Sequence, residues 1–123
     1  FLILPSAMAA RDPSLISSWH AHVYFGADSR DAAWALREVI GAELGSRVQI
    51  GRFHEKPVGP HPAWTYRLAF DASEPAHVAS CLSLTGAVLG VLVHPNTGDE
   101  LADHRDGALW LGKSYTLDLS VLA

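Results

Sequence analysis

Seven of the 123 residues are histidines, and two of them share the short stretch 19–25, Trp-His-Ala-His-Val-Tyr-Phe. Successive side chains of a strand fall on opposite faces. Trp19, Ala21, Val23 and Phe25 therefore make an apolar face, while His20, His22 and Tyr24 make a chemically armed one. The aromatic and β-branched content predicts a strand inside a sheet. An ordinary half-buried strand would present Ser, Thr or Lys where this one presents two imidazoles and a phenol. Neutral imidazole binds Fe(II), Zn(II) and Cu(II), and three rings meeting in one pocket suffice to hold a metal with coordination positions left open. The plainer alternative is that these rings hydrogen-bond inside a dimer interface or hold zinc structurally, in a binding module that does no catalysis.

His54, His61, His94 and His104 are the candidates to converge on that face. His54 and His61 lie in 54–62, where three prolines and a glycine forbid a regular ladder and predict a stiff loop. His94 precedes Pro95, which is expected to stop a strand and leave the imidazole displayed at its end. His77 falls near the start of a helix, off its apolar stripe, and reads as solvated with no role. No short-range signature such as His-Glu-x-x-His occurs, so a site must be assembled from distant segments. A 2-His-1-carboxylate iron site could draw its acid from Glu55, Asp99, Glu100 or Asp103. The sequence places none of them, and Asp103 could equally orient His104 or cap a turn.

The elements that must carry these residues follow from periodicity. After the first strand, Asp28 or Ser29 is placed to cap a helix whose apolar positions are Ala33, Leu36, Ile40 and Leu44 and whose end is Gly45. Residues 48–53 and 64–71 read as strands, the latter with Trp64, Tyr66, Leu68 and Phe70 on one face. Ser73 is placed to cap a second helix with Pro75 in its first turn, an inward stripe of Val78, Cys81, Leu82 and Thr85, and Gly86 as its end. Residues 88–93 read as a buried strand. A short helix or coil leads to 108–112, and 115–121 alternates as a last strand. Two split βαβ units in this order give a ferredoxin-like βαββαβ α+β sandwich, with both helices on one face of an antiparallel sheet and a C-terminal extension strand. The bare face must be covered by the extension, a second subunit or both.

Bulk composition sets the limits. The length predicts one domain, 18–123, behind a loose N-terminal arm, 1–17. A formal charge of −4 with nine Lys and Arg residues scattered singly excludes a basic stripe, so nucleic acid is not expected as a partner. One cysteine, Cys81, cannot form an internal disulfide and fits a cytoplasmic protein. No run has the length of a transmembrane span, so no membrane association is expected. Residues 1–10 lack the positive start of a signal peptide, and Met8 reads as the natural start.

His-Val-Tyr-Phe (22–25), Lys-Pro-Val-Gly-Pro-His-Pro (56–62), Val-His-Pro-Asn-Thr-Gly-Asp-Glu (93–100), Asp-His (103–104) and Ala-Leu-Trp-Leu-Gly (108–112) resemble the DOPA 4,5-dioxygenase family in order and spacing, over about 19–119. The resemblance implies a ferredoxin-like, often dimeric protein that opens a catechol ring with O2 at Fe(II), although zinc or another divalent metal would fit the same ligands. It implies His22, His61 and His94 as metal ligands, with His20 and His104 close by as catalytic acid or base. The expected partners are a small aromatic catechol, O2 and a second copy of the chain. Arg52 or Arg67 is a candidate to hold a substrate carboxylate.

Overall fold

The computed structural model describes residues 10–85 and 89–122. Its elements are β1 (Ser18–Phe25), α1 (Arg30–Leu44), β2 (Val48–Ile50), β3 (Trp64–Asp71), α2 (Pro75–Thr85), β4 (Val91–Asn96), α3 (Glu100–Arg105) and β5 (Leu109–Leu111). They form an α+β protein with one sheet ordered β2-β3-β1-β4-β5, every neighbouring pair antiparallel. The first four strands take the βαββαβ arrangement expected from the sequence. β5 extends that sheet beyond β4.

The helical periodicity of α1 puts Ala33, Leu36, Ile40 and Leu44 on one buried stripe, and Gly45 ends the helix at a positive φ of 50°, a backbone setting that favours glycine. That stripe packs with Val78 and Leu82 of α2 against Ala21, Val23 and Phe25 of β1 and Tyr66, Leu68 and Phe70 of β3. Burying each large aliphatic side chain there stabilises the fold by about 1.5–3 kcal/mol. Both helices thus cover one face and leave His20, His22 and Tyr24 on the other. Cys81 packs against the core as a partly buried side chain, whereas Thr85 is exposed.

Several boundaries differ from expectation. Ser29 does not cap α1 with its side chain; its hydroxyl instead accepts from the Gly26 N–H at 3.0 Å, across a short 3-10 turn (Ala27–Ser29). α2 begins at Pro75, which puts Glu74 rather than Ser73 at the capping position; Gly86 and Val88 lie outside the described residues. β2 stops at Ile50, where Gly51 lies so close to β3 that a Cβ would be 3.3 Å from the Arg67 carbonyl. β4 runs three residues further along than read. Its start is set by Gly90 (φ 91°), where a Cβ would meet the Lys113 carbonyl at 2.8 Å. Pro95 lies within β4, opposite Trp19 and past Val93, the last residue paired to β5. A missing N–H there interrupts no β4–β5 ladder.

The stretch 115–121 is not a strand. Its burial does alternate, with Tyr115, Leu117 and Leu119 turned inward, but the chain crosses the open face without a ladder partner and ends in a 3-10 turn (Leu119–Leu122). The extension strand is β5 instead. At the other end, residues 10–17 are held more closely than a loose arm. Pro13–Leu15 forms a 3-10 turn capped by Asp12, the Ser17 N–H donates to Asn96 O at 2.9 Å, and Arg11 reaches Asp103 at 2.8 Å. Met8 and the residues before it lie outside the described residues. No described helix is long and apolar enough to cross a membrane.

Candidate metal centre

Register decides which side chains meet on the open face, because residues directly opposite one another in an antiparallel pair share a face. His20 of β1 is flanked by Ala69 of β3 and His94 of β4, and His22 by Arg67 and Leu92. The loop before β3 brings in His61, and α3 brings in His104. The rings form a row in which His104 lies 3.9 Å from His94, His94 5.2 Å from His22, and His22 4.2 Å from His61, centroid to centroid. His20 sits edge-on to the middle pair, at 5.9 Å from His22 and 5.3 Å from His94. Five of the six histidines singled out from the sequence are therefore brought together. His54 stands at the side, bridged to Thr65, on the wall of an adjoining pocket, and His77 is exposed beside Glu74.

The structure covers this face as the sequence required something to do. Tyr115 and Trp110 pack on Tyr24 at 4.6 and 5.6 Å, and the Asp118 N–H donates to Pro60 O at 2.9 Å, which ties the extension to the His61 loop. His22, His61 and His94 are thereby 7%, 8% and 1% exposed. Burial is the largest cause holding all the central rings neutral: His20, His61 and His94 are pushed down to about 4 from 6.5, and His22 well below 6.5. Neighbouring imidazoles push the same way, and Arg67 adds to the effect on His20. Neutral imidazole is the ligand form.

The donor atoms fit a divalent metal. His94 Nδ1–H donates to Pro95 O at 3.0 Å, so its Nε2 carries the lone pair. That Nε2 faces His22 Nε2 at 3.1 Å. With metal–nitrogen bonds of about 2.1 Å, this spacing corresponds to a ligand–metal–ligand angle of about 95°. Ligand atoms of His20, His22 and His94 all lie within 4.8 Å of one another, the one such group among the described residues, and it contains no carboxylate. Three of the four candidate acids are engaged elsewhere. Glu55 pairs with Arg30 and Asp99 caps α3 through the Ala102 N–H; Glu100 meets the row only through its backbone carbonyl, which accepts from His104 Nδ1–H at 2.7 Å. Asp103 does not orient His104. Nearly fully buried, it accepts from Arg11, the Thr97 hydroxyl and the Thr97 N–H. Desolvation raises its pKa, but these bonds outweigh it and hold the carboxyl below its usual range.

One partnership escaped the sequence reading. Tyr24 OH lies 2.5 Å from His61 Nδ1. Tyr24 is fully buried, burial keeps its phenol protonated, and His61 is its one hydrogen-bond partner among the described residues. A buried hydroxyl proton needs an acceptor, so Tyr24 donates to Nδ1 and the His61 proton resides on Nε2. The signal available beforehand was position alone: Tyr24 shares the face of His20 and His22.

The sequence pattern of the Dopa 4,5-dioxygenase family matches residues 19–121. A DOPA 4,5-dioxygenase from Amanita muscaria is 36% identical over 118 residues, covering 89% of this chain and 51% of that protein. An uncharacterized 21.2 kDa protein from Botryotinia fuckeliana is 30% identical over 122 residues, covering 90% of this chain and 66% of its own length. The chain therefore spans about half to two thirds of these relatives. Among solved structures, a "putative dioxygenase" from Nostoc punctiforme superposes with a TM-score of 0.86 at 43% identity, over 92% of this chain and 96% of that one.

Proposed function

The chain belongs to the Dopa 4,5-dioxygenase family, and from that premise we propose that it is an Fe(II)-dependent extradiol dioxygenase opening the ring of L-DOPA or a related catechol. The observation that carries this reading is the His22–His94 pair, two buried Nε2 atoms at ligand spacing with His20 beside them. We assign His20, His22 and His94 as the ligands. His61 was expected as the third, but the Tyr24 bond leaves a proton on the atom that would bind.

Iron bound there would supply Lewis acidity, open positions for the two catechol oxygens and O2, and the electron relay that a spin-paired ring and triplet oxygen require. The protein's own groups handle protons. His104, with Nδ1–H engaged by Glu100 O and Nε2 free, stands beside His94 to accept a catechol hydroxyl proton. His61, with a proton on Nε2, stands on the other side of His22 to donate one. Tyr115 and Trp110 cover Tyr24 and exclude water from the His61 side. Cytoplasmic residence and a homodimer belong to the same reading; exposed Trp34, Val39 and Leu84 on the helices offer apolar surface for a second copy.

The test is oxygen uptake by purified, chelator-treated protein reloaded with Fe(II) under reducing conditions and given L-DOPA. One O2 consumed per catechol, with a coloured ring-opened product, is expected. No uptake with any catechol would leave only a binding module. A second measurement separates the roles of His61 and His20. Tyr24→Phe should lower kcat by about tenfold or more, the usual size of an effect on a ligand's or acid's supporting bond, while Fe(II) affinity stays within about twofold. A collapse in metal affinity instead would make His61 the ligand and His20 the proton carrier.

A further inference from the structure

Beside His22 and His61 lies a pocket of about 450 Å³, whose rim carries Arg52, His54 and Arg67. Its size suits a single aromatic ring with a short tail. No carboxylate lines it, in a chain whose formal charge is −4. The other guanidinium groups of the described chain behave differently. Arg11, Arg30, Arg47 and Arg105 each meet an acid, and Arg37 donates to Gly51 O. Arg52 and Arg67 have no acidic partner among the described residues. Both side chains are exposed at the mouth of this pocket, where their guanidinium groups are free to meet an anion.

Position gives the direction. Arg67 is the β3 neighbour of His22, one strand over on the same face, a separation of about 4.8 Å between strands. A ring seated over His22 and His94 would therefore send a substituent across β3 toward Arg67 and Arg52. Gly51 N–H, held by Arg67 O at 2.7 Å, fixes the backbone of the neighbouring Arg52 against that same residue.

We infer that Arg67 and Arg52 form a carboxylate clamp, so that this chain selects catechols with an anionic tail over neutral or cationic ones. The inference rests on the dioxygenase reading for the placement of the ring, and on the unpaired guanidiniums for the tail. Guanidinium–carboxylate bonds are charge-assisted and geometrically matched, which also predicts that lysine is a poor replacement.

The test compares three catechols with the same ring: 3,4-dihydroxyphenylpropanoate, 4-methylcatechol and dopamine. Binding is measured by calorimetry on zinc-loaded protein, and oxygen uptake separately on Fe(II)-loaded protein. Wild type should prefer the propanoate to 4-methylcatechol by about tenfold or more, the size expected of a charge-assisted bond at a partly solvated rim. Arg67→Gln should remove most of that preference, and Arg52→Gln part of it. Arg67→Glu should turn the order toward dopamine, a gain that misfolding cannot imitate. A wild type that turns over 4-methylcatechol as readily as the propanoate overturns the clamp and leaves the dioxygenase standing. Arginine-dependent binding of the propanoate without oxygen uptake does the reverse. No binding of any of the three overturns both.

Discussion

The His94→Ala protein is expected to fold, to bind Fe(II) at least about 100-fold more weakly and to consume no oxygen with L-DOPA, since even the loss of a bond supporting a ligand weakens metal sites 10–100-fold. His94 is 1% exposed and faces His22 at 3.1 Å, so its loss removes one of the two buried Nε2 atoms at ligand spacing. The substitution also removes two buried hydrogen bonds, to His22 Nε2 and to Pro95 O. Losing such bonds costs about 1–3 kcal/mol where a partner is left unsatisfied, against a typical 5–15 kcal/mol for a domain. The fold should therefore survive, and circular dichroism will show whether it does. His77→Ala is the control: His77 is exposed beside Glu74, and its loss should alter neither quantity. A His94→Ala protein that keeps tight iron binding and oxygen uptake refutes the centre itself, not merely one ligand.

The parts of this architecture that the sequence made legible are those in which one pattern reported one thing. The stripe Ala33, Leu36, Ile40, Leu44 can only be a helix face, and all four are buried. His20-x-His22 can only share a face if 19–25 is a strand, and both rings point to the open side. Where a pattern had two physical causes, the reading slipped. Alternation over 115–121 reported burial on one side, which an unpaired extended segment shows as well as a strand does. The apolar run 88–93 reported a buried strand but not its start, which Gly90 and its close approach to Lys113 decide.

The ligand set was hardest for a related reason. The family resemblance could nominate His22, His61 and His94, but the choice between His20 and His61 turns on a proton. Tyr24 and His61 are 37 residues apart in the chain, and nothing local in either stretch announces their bond. Asp103 illustrates the same limit. An acid next to His104 could from sequence have joined the metal, oriented His104 or capped a turn, and α3 turns the carboxylate toward Arg11 and Thr97.

Burying that many imidazoles has a consequence for stability that can be read with no substrate present. In metal-free protein, His61 and His94 titrate near 4 when folded and near 6.5 when exposed, with burial the largest cause in both. Between those values the unfolded chain holds protons that the folded chain does not, so stability is complete above about pH 6.5 and falls as pH drops toward 4. By pH 5 the loss is about 2 kcal/mol for each of the two rings. Their sum, with a further loss from His22, whose pKa is depressed the same way, is a large share of the stability of a domain. Asp103 works in the opposite sense: its lowered carboxyl contributes stability that is lost only as pH falls below the ordinary carboxylate range, so it does not disturb the window. Urea unfolding of chelator-treated protein at pH 7.5 and pH 5 should show the midpoint falling by more than about 1 M, given slopes of about 1–3 kcal/mol per molar for small domains. Zinc would occupy the lone pairs of His22 and His94 that protons seek, so zinc-loaded protein should hold its midpoint further into acid before the two compete. An unchanged midpoint in the metal-free protein would mean that these rings are solvated, and a solvated row of imidazoles would not be held in the neutral, converging form on which the iron site depends.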